Sequence, residues 1–436
     1  MSQFELISAK ERSIMGSTAL AGLDRLARRM VLSMLEKLPA GQIRLQEEES
    51  ATVFGSISEN FPIQATITVH DPRFFRMTAL GGSIGAAEAY MAGYWSADDL
   101  TAVIRIFTRT QQMRESVESR LARLTQPAHA LVHFLRKNTP RGSRQNIVAH
   151  YDLGNDFYRL FLDETLTYSC GIFEKADSTL KEASTAKYDR LCKKLALTAD
   201  DHVLEIGTGW GGFALHAVKH YGCRVTTTTI SDEQFRLAAA RFAEAGIADR
   251  VTLLMKDYRE LSGTYDKLVS IEMIEAVGHH FYDSFFEVCS DRLKTDGVMA
   301  LQAITIADHV FDRHKHEVDF IKRYIFPGSC IPSTAAMMKS IAAKTDLRLL
   351  HLEDITPHYA ETLRRWRKNF FSEIDRVRAM GFSEAFIRMW EYYLCYCEGG
   401  FTERYIGDVQ MILSKPLARP APILPPVAPP QIPAAE

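Results

Sequence analysis

His202-Val-Leu-Glu-Ile-Gly-Thr-Gly-Trp-Gly-Gly212 carries a short apolar run straight into a glycine-rich turn, and Phe213 to Tyr221 continues with the spacing of an amphipathic helix. A short run dominated by Val, Leu and Ile suits a strand buried on both faces. The glycines allow a tight turn and let a ligand approach backbone amides at the start of the helix. The same alternation extends outward. Arg224 to Ile230 is a β-branched strand, and Ser231-Asp-Glu-Gln234 has the capping-box pattern that opens a helix. Val251 to Met255, Lys267 to Ile271 and Val298 to Ile306 read as further strands, with a helix over Phe281 to Leu293. Strands alternating with helices predict a mostly parallel sheet covered on both faces. Pro357 opens a long helical stretch that runs to about Tyr405 with a break at Gly381, and Gly407 to Leu413 has the composition of a closing strand.

Upstream the pattern differs. Met15 to Leu38 has helical apolar spacing, Ala65 to Val69 alternates, Asp71-Pro72 marks a turn, and helical stretches follow from Gly85 to Gln112. Arg136-Lys-Asn-Thr-Pro-Arg-Gly-Ser-Arg144 is basic and rich in breakers, as a linker would be. Eight of the 16 prolines fall between Pro416 and Pro433, a composition that does not build a packed core. The expected division is a leading module over 1–140, an α/β domain over 141–415 and a Pro-rich tail over 416–436.

The 436 residues are 46% hydrophobic and 24% charged, as in soluble globular proteins, and the net charge of −2 offers no global basic field for nucleic acid. Neither a signal-peptide pattern nor a run of about 18 apolar residues is visible, so membrane contact is expected to be peripheral, from the cytoplasmic face. The seven cysteines include no CxxC pair, which fits a reducing compartment and argues against a zinc site. His279-His280 lacks an accompanying Asp or Cys cluster and is not read as a metal pair.

A GxGxxG turn serves NAD, FAD and S-adenosylmethionine alike, and a purely structural turn is also compatible with it. Two details favour S-adenosylmethionine. Glu205 stands two residues before the first glycine, where methyltransferase loops open with an acid. A dinucleotide site wants an acid about 20 residues past the loop for the ribose, but the strand end here is Thr226-Thr-Thr-Thr229.

More specific motifs surround the loop. They include Ala149-His-Tyr-Asp-Leu-Gly-Asn-Asp-Phe157, Tyr168-Ser-Cys170, Thr229-Ile-Ser-Asp-Glu-Gln234, Asp257-Tyr258, Glu275-Ala-Val-Gly278 and Tyr324-Ile-Phe-Pro-Gly328. With Gly82-Ser-Ile-Gly-Ala-Ala-Glu-Ala-Tyr-Met-Ala-Gly-Tyr-Trp95, they make the chain resemble cyclopropane-fatty-acyl-phospholipid synthases and mycolic acid cyclopropane synthases. The resemblance runs over roughly 70–410 and is densest from 149 to 330. It implies a Rossmann-like S-adenosylmethionine methyltransferase domain behind a mainly helical N-terminal domain. It assigns Tyr168, Ser169, Gly207, Gly209, Thr229, Gln234, Asp257 and Tyr258 to the cofactor. It also implies a bicarbonate ion near the sulfonium, held by Cys170, Glu275, Gln302, Ile304 through its backbone, and Tyr359. Two positions depart from the family: Ala276 and Gln302 stand where typical members have His. Gln can donate and accept, but it cannot become a cation.

Those assignments suit the chemistry the resemblance implies, addition of a methylene to the double bond of unsaturated phospholipid acyl chains. An alkene attacking a sulfonium methyl becomes a methylated carbocation, which needs a dry site and a base. Loss of a proton from the new methyl closes a cyclopropane. Loss of a chain proton instead leaves a branched product. A carboxylate side chain at bonding distance risks alkylation, whereas a hydrogen-bonded bicarbonate is a base of suitable strength. Read without the resemblance, Cys170 is a small buried hydrophobe, Tyr359 a half-buried helix aromatic, and Glu275 an ion-pair partner one helical turn from Glu272. Arg364-Arg-Trp-Arg-Lys-Asn-Phe-Phe371 combines cations with aromatics, as a helix lying on an anionic lipid surface does, and a solvated face reads equally well. The leading module would serve lipid contact or a homodimer. A methyltransferase acting on small molecules is the more distant reading.

Overall fold

A computed structural model describes residues 17–48, 50–110 and 153–423. The expected linker, the first residues of the 149–157 motif and the end of the Pro-rich tail lie outside these. The N-terminal part comprises α1 (Ser17–Leu35), β1 (Gly41–Glu47), β2 (Ser50–Ser56), β3 (Gln64–Val69), α2 (Arg73–Met91), β4 (Trp95–Ala97) and α3 (Leu100–Arg109). Its four strands form one sheet in the order β2-β1-β3-β4, with β1 and β3 parallel. Only the 65–69 segment of that sheet is foreseen from the sequence. Ile43 and Leu45 have the period of a strand with one buried face, but β2 is polar and largely exposed, so it gives little apolar signal.

The C-terminal part begins with α4 (Asn155–Arg159) and α5 (Leu180–Lys194), and then alternates: β5 (His202–Ile206), α6 (Gly212–Tyr221), β6 (Arg224–Thr229), α7 (Asp232–Glu244), β7 (Val251–Met255) and β8 (Tyr265–Ile271). Then come α8 (Ile274–Val277), α9 (Tyr282–Arg292), β9 (Leu293–Ile306), α10 (Asp308–His314), α11 (Thr334–Lys344), β10 (Arg348–Asp354), α12 (Thr356–Ser372), α13 (Ile374–Ala379), α14 (Glu384–Thr402) and β11 (Ile406–Ser414). The seven strands run β10-β11-β9-β8-β5-β6-β7. The five strands from β9 to β7 pair in parallel, and β11 is antiparallel to both of its neighbours. Consecutive residues of β5 feed opposite faces: Val203 packs with Phe213 and Val225, and Leu204 with Leu268 and Phe285. A strand covered on both sides has no polar face, which is why its sequence shows no alternation and is apolar but for His202 and Glu205. Ser231 caps α7 as expected, accepting from the Gln234 amide, while the Gln234 side chain turns to Thr229.

A third apolar cluster binds the N-terminal part to α12 and α14. Phe74, Trp95 and Ile104 share it with Phe157, Trp366 and Trp390. Tyr90 donates to Glu391 Oε2 at 2.6 Å, and Arg105 pairs with Glu403 at 2.7 Å across the same junction. The leading module therefore roofs the end of the sheet on which β5 delivers its glycine loop. No helix among the described residues is long and apolar enough to cross a membrane.

Candidate active site

The loop after β5 is shaped by what its glycines must avoid. Gly211 has φ +85°, and a Cβ there would sit 2.7 Å from the Phe242 ring. Gly207 has φ +102°, and its Cβ would lie 3.2 Å from Met273, whereas Gly209 (φ +52°) faces open space. Only glycine tolerates these angles without strain. Behind the loop, buried Glu205 accepts from Thr227 Oγ1 at 2.6 Å, and burial pushes its carboxyl up to about 8.

The loop opens into a cavity of about 880 Å³, near the upper end of the roughly 300–1,000 Å³ usual for ligand sites. Tyr168, Ser169, Gly207, Gly209, Thr229, Gln234, Asp257 and Tyr258 all reach it, as do Glu275, Ile304 and Tyr359. Cys170 and Gln302 are wholly buried one layer beneath its wall. Thr229 Oγ1 donates to Gln234 Oε1 at 2.8 Å at the end of β6. Arg259 clasps Asp257 through two bonds of 2.7 Å, and the buried Tyr258 hydroxyl meets no partner among the described residues. Tyr168 meets Tyr393 hydroxyl to hydroxyl at 2.9 Å, its ring 5.3 Å from that of Trp366. An open glycine turn, an unused buried hydroxyl and an aromatic wall fit a nucleoside-bearing cofactor. Gly207, Gly209, Asp257, Tyr258, Tyr168 and Ser169 would hold it.

The acid-bearing floor departs from the sequence reading. Glu275 Oε1 accepts from the backbone N–H of Ile304, while its Oε2 is buried without a partner among the described residues. Burial, and then the charge of Glu272, pushes Glu275 up to about 8. Glu272 holds the centre. Its Oε1 accepts from the Cys170 N–H at 2.8 Å and from Gln302 Nε2 at 2.7 Å, and its Oε2 accepts from the Tyr359 hydroxyl at 2.6 Å. The donors that the resemblance assigns to bicarbonate thus already face carboxylates of the chain, and the residues fit the ion poorly.

Asp408, Lys187 and Tyr393 were not singled out from the sequence. Asp408 Oδ2 accepts from Gln302 at 3.2 Å, and burial and Glu272 raise its carboxyl well above the usual range. Lys187 is wholly buried, donates to Ser169 Oγ at 2.6 Å, and is lowered by burial against the charges of Glu272 and Asp408. A buried Lys in the amphipathic α5 and an Asp in a closing strand are the signals that point to them. The α12 cluster, which reads equally as a lipid-facing or a solvated face, is split, with Arg364 and Lys368 exposed. Trp366 and Phe370 are buried, Arg364 and Arg365 pair with Glu361, and Arg367 pairs with Glu398.

A family model described as mycolic acid cyclopropane synthetase matches residues 138–411. The tuberculostearic acid methyltransferase UfaA1 of Mycobacterium tuberculosis is 38% identical over 364 residues, 81% of this chain and 84% of its own length. The cyclopropane-fatty-acyl-phospholipid synthase of Escherichia coli K12 is 34% identical over 362 residues, covering 82% of this chain and 90% of that protein. Among solved structures, cyclopropane synthase MmaA2 from M. tuberculosis matches with a TM-score of 0.58 at 33% identity, over 62% of this chain and 98% of that one. Mycolic acid cyclopropane synthase CmaA1 complexed with SAH and CTAB gives a TM-score of 0.59, again at 33% identity and over 62% and 98% of the two chains.

Proposed function

This chain belongs to the mycolic acid cyclopropane synthetase family of methyltransferases, and from that premise we propose that it adds a methylene to the double bond of unsaturated phospholipid acyl chains. One observation carries the reading: the glycine loop and the Glu272–Glu275 floor open into a single cavity whose opposite wall is apolar, with Val31, Leu35, Phe74 and Ile104 among its lining. A polar pocket for a small amine or alcohol does not need such a wall. An acyl chain does.

S-Adenosylmethionine, when bound, supplies an electrophilic methyl group that the π pair of an alkene attacks, releasing S-adenosylhomocysteine. The protein's residues govern the fate of the cation left in the chain. The apolar wall keeps water away from it. Tyr359, stacked on Phe401 with centroids 4.2 Å apart, and Tyr168 present aromatic faces; cation–π attraction is worth about 0.5–2 kcal/mol at such sites. Glu272, held by three donors on the floor, supplies a place for the proton. If the proton leaves the new methyl group, its C–H pair closes the ring. If it leaves the acyl chain, the product is a branched alkene. The branched outcome is a second reading, favoured by Gln302 in the family's His position and by the 38% identity to a fatty acid methyltransferase. The enzyme would work from the cytoplasmic membrane surface.

The test is expression in a bacterial host lacking such enzymes, followed by mass spectrometry of its phospholipid acyl chains. A gain of one CH2 per modified chain is expected, and fragmentation then separates ring from branch. Unaltered chains, from a protein that binds S-adenosylmethionine, would overturn the reading.

A further inference from the structure

Resting on that reading, we propose that the side chain of Glu272 takes the place of a diffusible base: it fills the anion cradle on the cavity floor and accepts the proton that leaves the methylated chain. The cradle consists of the Cys170 N–H, the Gln302 amide and the Tyr359 hydroxyl, converging on Glu272 at 2.6–2.8 Å. Three donors meeting at one point would hold a planar oxyanion from solution equally well. Here that oxyanion is tethered to the chain at the end of β8, and Glu272 itself lines the cavity.

The backbone supports the assignment independently. Glu272 has φ +48°, one of few non-glycine residues in the left-handed region among those described, and its N–H is fixed to Gln302 O at 2.8 Å. Such a conformation is strained for a residue with a Cβ and persists only where the surroundings hold it. Glycine would relieve it, but glycine brings no carboxylate. Next door, Glu275 Oε2 is buried and unpartnered among the described residues, facing the same cavity, so the floor is not simply a closed structural network.

The proton step balances with no further reactant. After methyl delivery, a C–H bond of the added methyl breaks, its electron pair forms the third C–C bond of the ring, and the proton passes to a Glu272 oxygen. The carboxylic acid then returns its proton to solvent before the next turnover. Three hydrogen bonds also answer the risk of alkylation. They occupy lone pairs on both oxygens and hold the carboxylate in its cradle while it remains a base.

The experiment compares wild type, Glu272→Gly and Glu272→Gln in bicarbonate-stripped buffer, with and without added bicarbonate or formate. Turnover is measured on vesicles of unsaturated phospholipid, and anion binding to the lipid-free proteins by calorimetry. Wild type is expected to turn over equally in both buffers and to bind neither anion. Glu272→Gly relieves the φ of +48° and empties the cradle, so it should lose roughly 10²–10⁴-fold in rate, bind the anions and regain part of the rate with them. Glu272→Gln should lose as much without rescue, because its amide fills the same space. Bicarbonate-dependent turnover or binding in the wild type overturns the proposal. So does a Gly variant that still binds S-adenosylmethionine but neither binds nor responds to the anions. A wild type that binds S-adenosylmethionine yet leaves every lipid unmodified refutes the proposed function instead, and the calorimetric comparison still decides the occupant of the cradle.

Discussion

Gln302 Nε2 donates to Glu272 Oε1 at 2.7 Å, and the orientation of that amide is fixed from behind, because Gln410 Nε2 donates to Gln302 Oε1 at 3.0 Å. Lys194 in turn donates to Gln410 Oε1 at 2.8 Å, so a chain of donors runs from the sheet interior to the cavity floor. Gln302→Leu would leave the wholly buried Asp408 and Gln410, and the half-buried Glu272, each short of a partner. Each such loss costs about 1–3 kcal/mol. The expected outcome is a clear drop in melting temperature together with a fall in kcat. Gln302→His, which can still accept on one ring nitrogen and donate from the other, should retain both far better. Equal damage from Leu and His would show that the donor chain is not what Gln302 supplies.

Tyr359→Phe isolates one bond of the cradle. The ring keeps its stack on Phe401, so the fold should persist, but Glu272 Oε2 loses the hydroxyl at 2.6 Å. A hydrogen bond to a charged acceptor is worth roughly 1.5–3 kcal/mol, which predicts a fall in kcat of about 10- to 150-fold. An unchanged kcat in Tyr359→Phe would show that the hydroxyl bond to Glu272 contributes nothing to turnover.

Stability should decline as pH rises from 4.5 to about 8. Burial pushes Glu205 and Glu275 up to about 8 from an ordinary 4.5. Between those values the folded protein holds protons that the unfolded chain has released, so this contribution is complete below 4.5 and is lost as pH rises toward 8. Glu353 works in the opposite sense. Burial opposes its ionisation, but hydrogen bonds from Arg190 and Lys194 prevail and bring it to about 2, so its contribution fades only as pH falls below 4.5. Melting of the ligand-free protein should therefore show its maximum on the mildly acidic side, and Glu275→Gln should flatten the decline toward pH 8. A decline of unchanged slope in both Glu275→Gln and Glu205→Gln would assign it to other groups.

The sheet was legible because β5, β6, β8 and β9 bury both faces, so Val203-Leu-Glu-Ile206 announces a strand without any alternation. The break at Gly381 was legible too, since φ +88° there admits little but glycine. The edge strand β10 was not, because most of its residues are at least partly exposed and its pattern is irregular where it bulges between Leu349 and His351. The floor of the site was half legible. Glu275 stands in a motif, whereas the role of Glu272 depends on a turn at φ +48° that swings its carboxylate under Cys170, a residue 102 positions earlier. Helical spacing would pair Glu272 with Glu275 on one face. In the fold Glu272 precedes α8, and that spacing does not apply.

Gly207→Val should abolish S-adenosylmethionine binding in calorimetry. A branched side chain at φ +102° is strained, its Cβ meets Met273 at 3.2 Å, and the rest projects where the cofactor loop opens. Binding of NAD in place of S-adenosylmethionine by the wild type would reject the cofactor assignment altogether.

The cations of α12 should separate into two kinds. Arg367 holds Glu398 at 2.9 Å, and among the described residues the buried Glu398 carboxyl, raised by burial, has besides it only a long 3.4 Å contact from Thr101. Lys368, one residue on, is exposed. Arg367→Ala removes the partner of a buried acid, a loss that reaches about 3–5 kcal/mol when a pair is fully enclosed. It should lower the melting temperature markedly while leaving co-sedimentation with anionic vesicles intact in the folded fraction. Lys368→Ala should do the reverse if this helix meets lipid, sparing stability and weakening vesicle binding by about 1 kcal/mol, a loss that high salt erases. If neither substitution alters vesicle binding at low salt, this helix is not the membrane contact. If Arg367→Ala weakens vesicle binding without changing the melt, the Arg367–Glu398 pair opens at the membrane instead of holding α12 to α14.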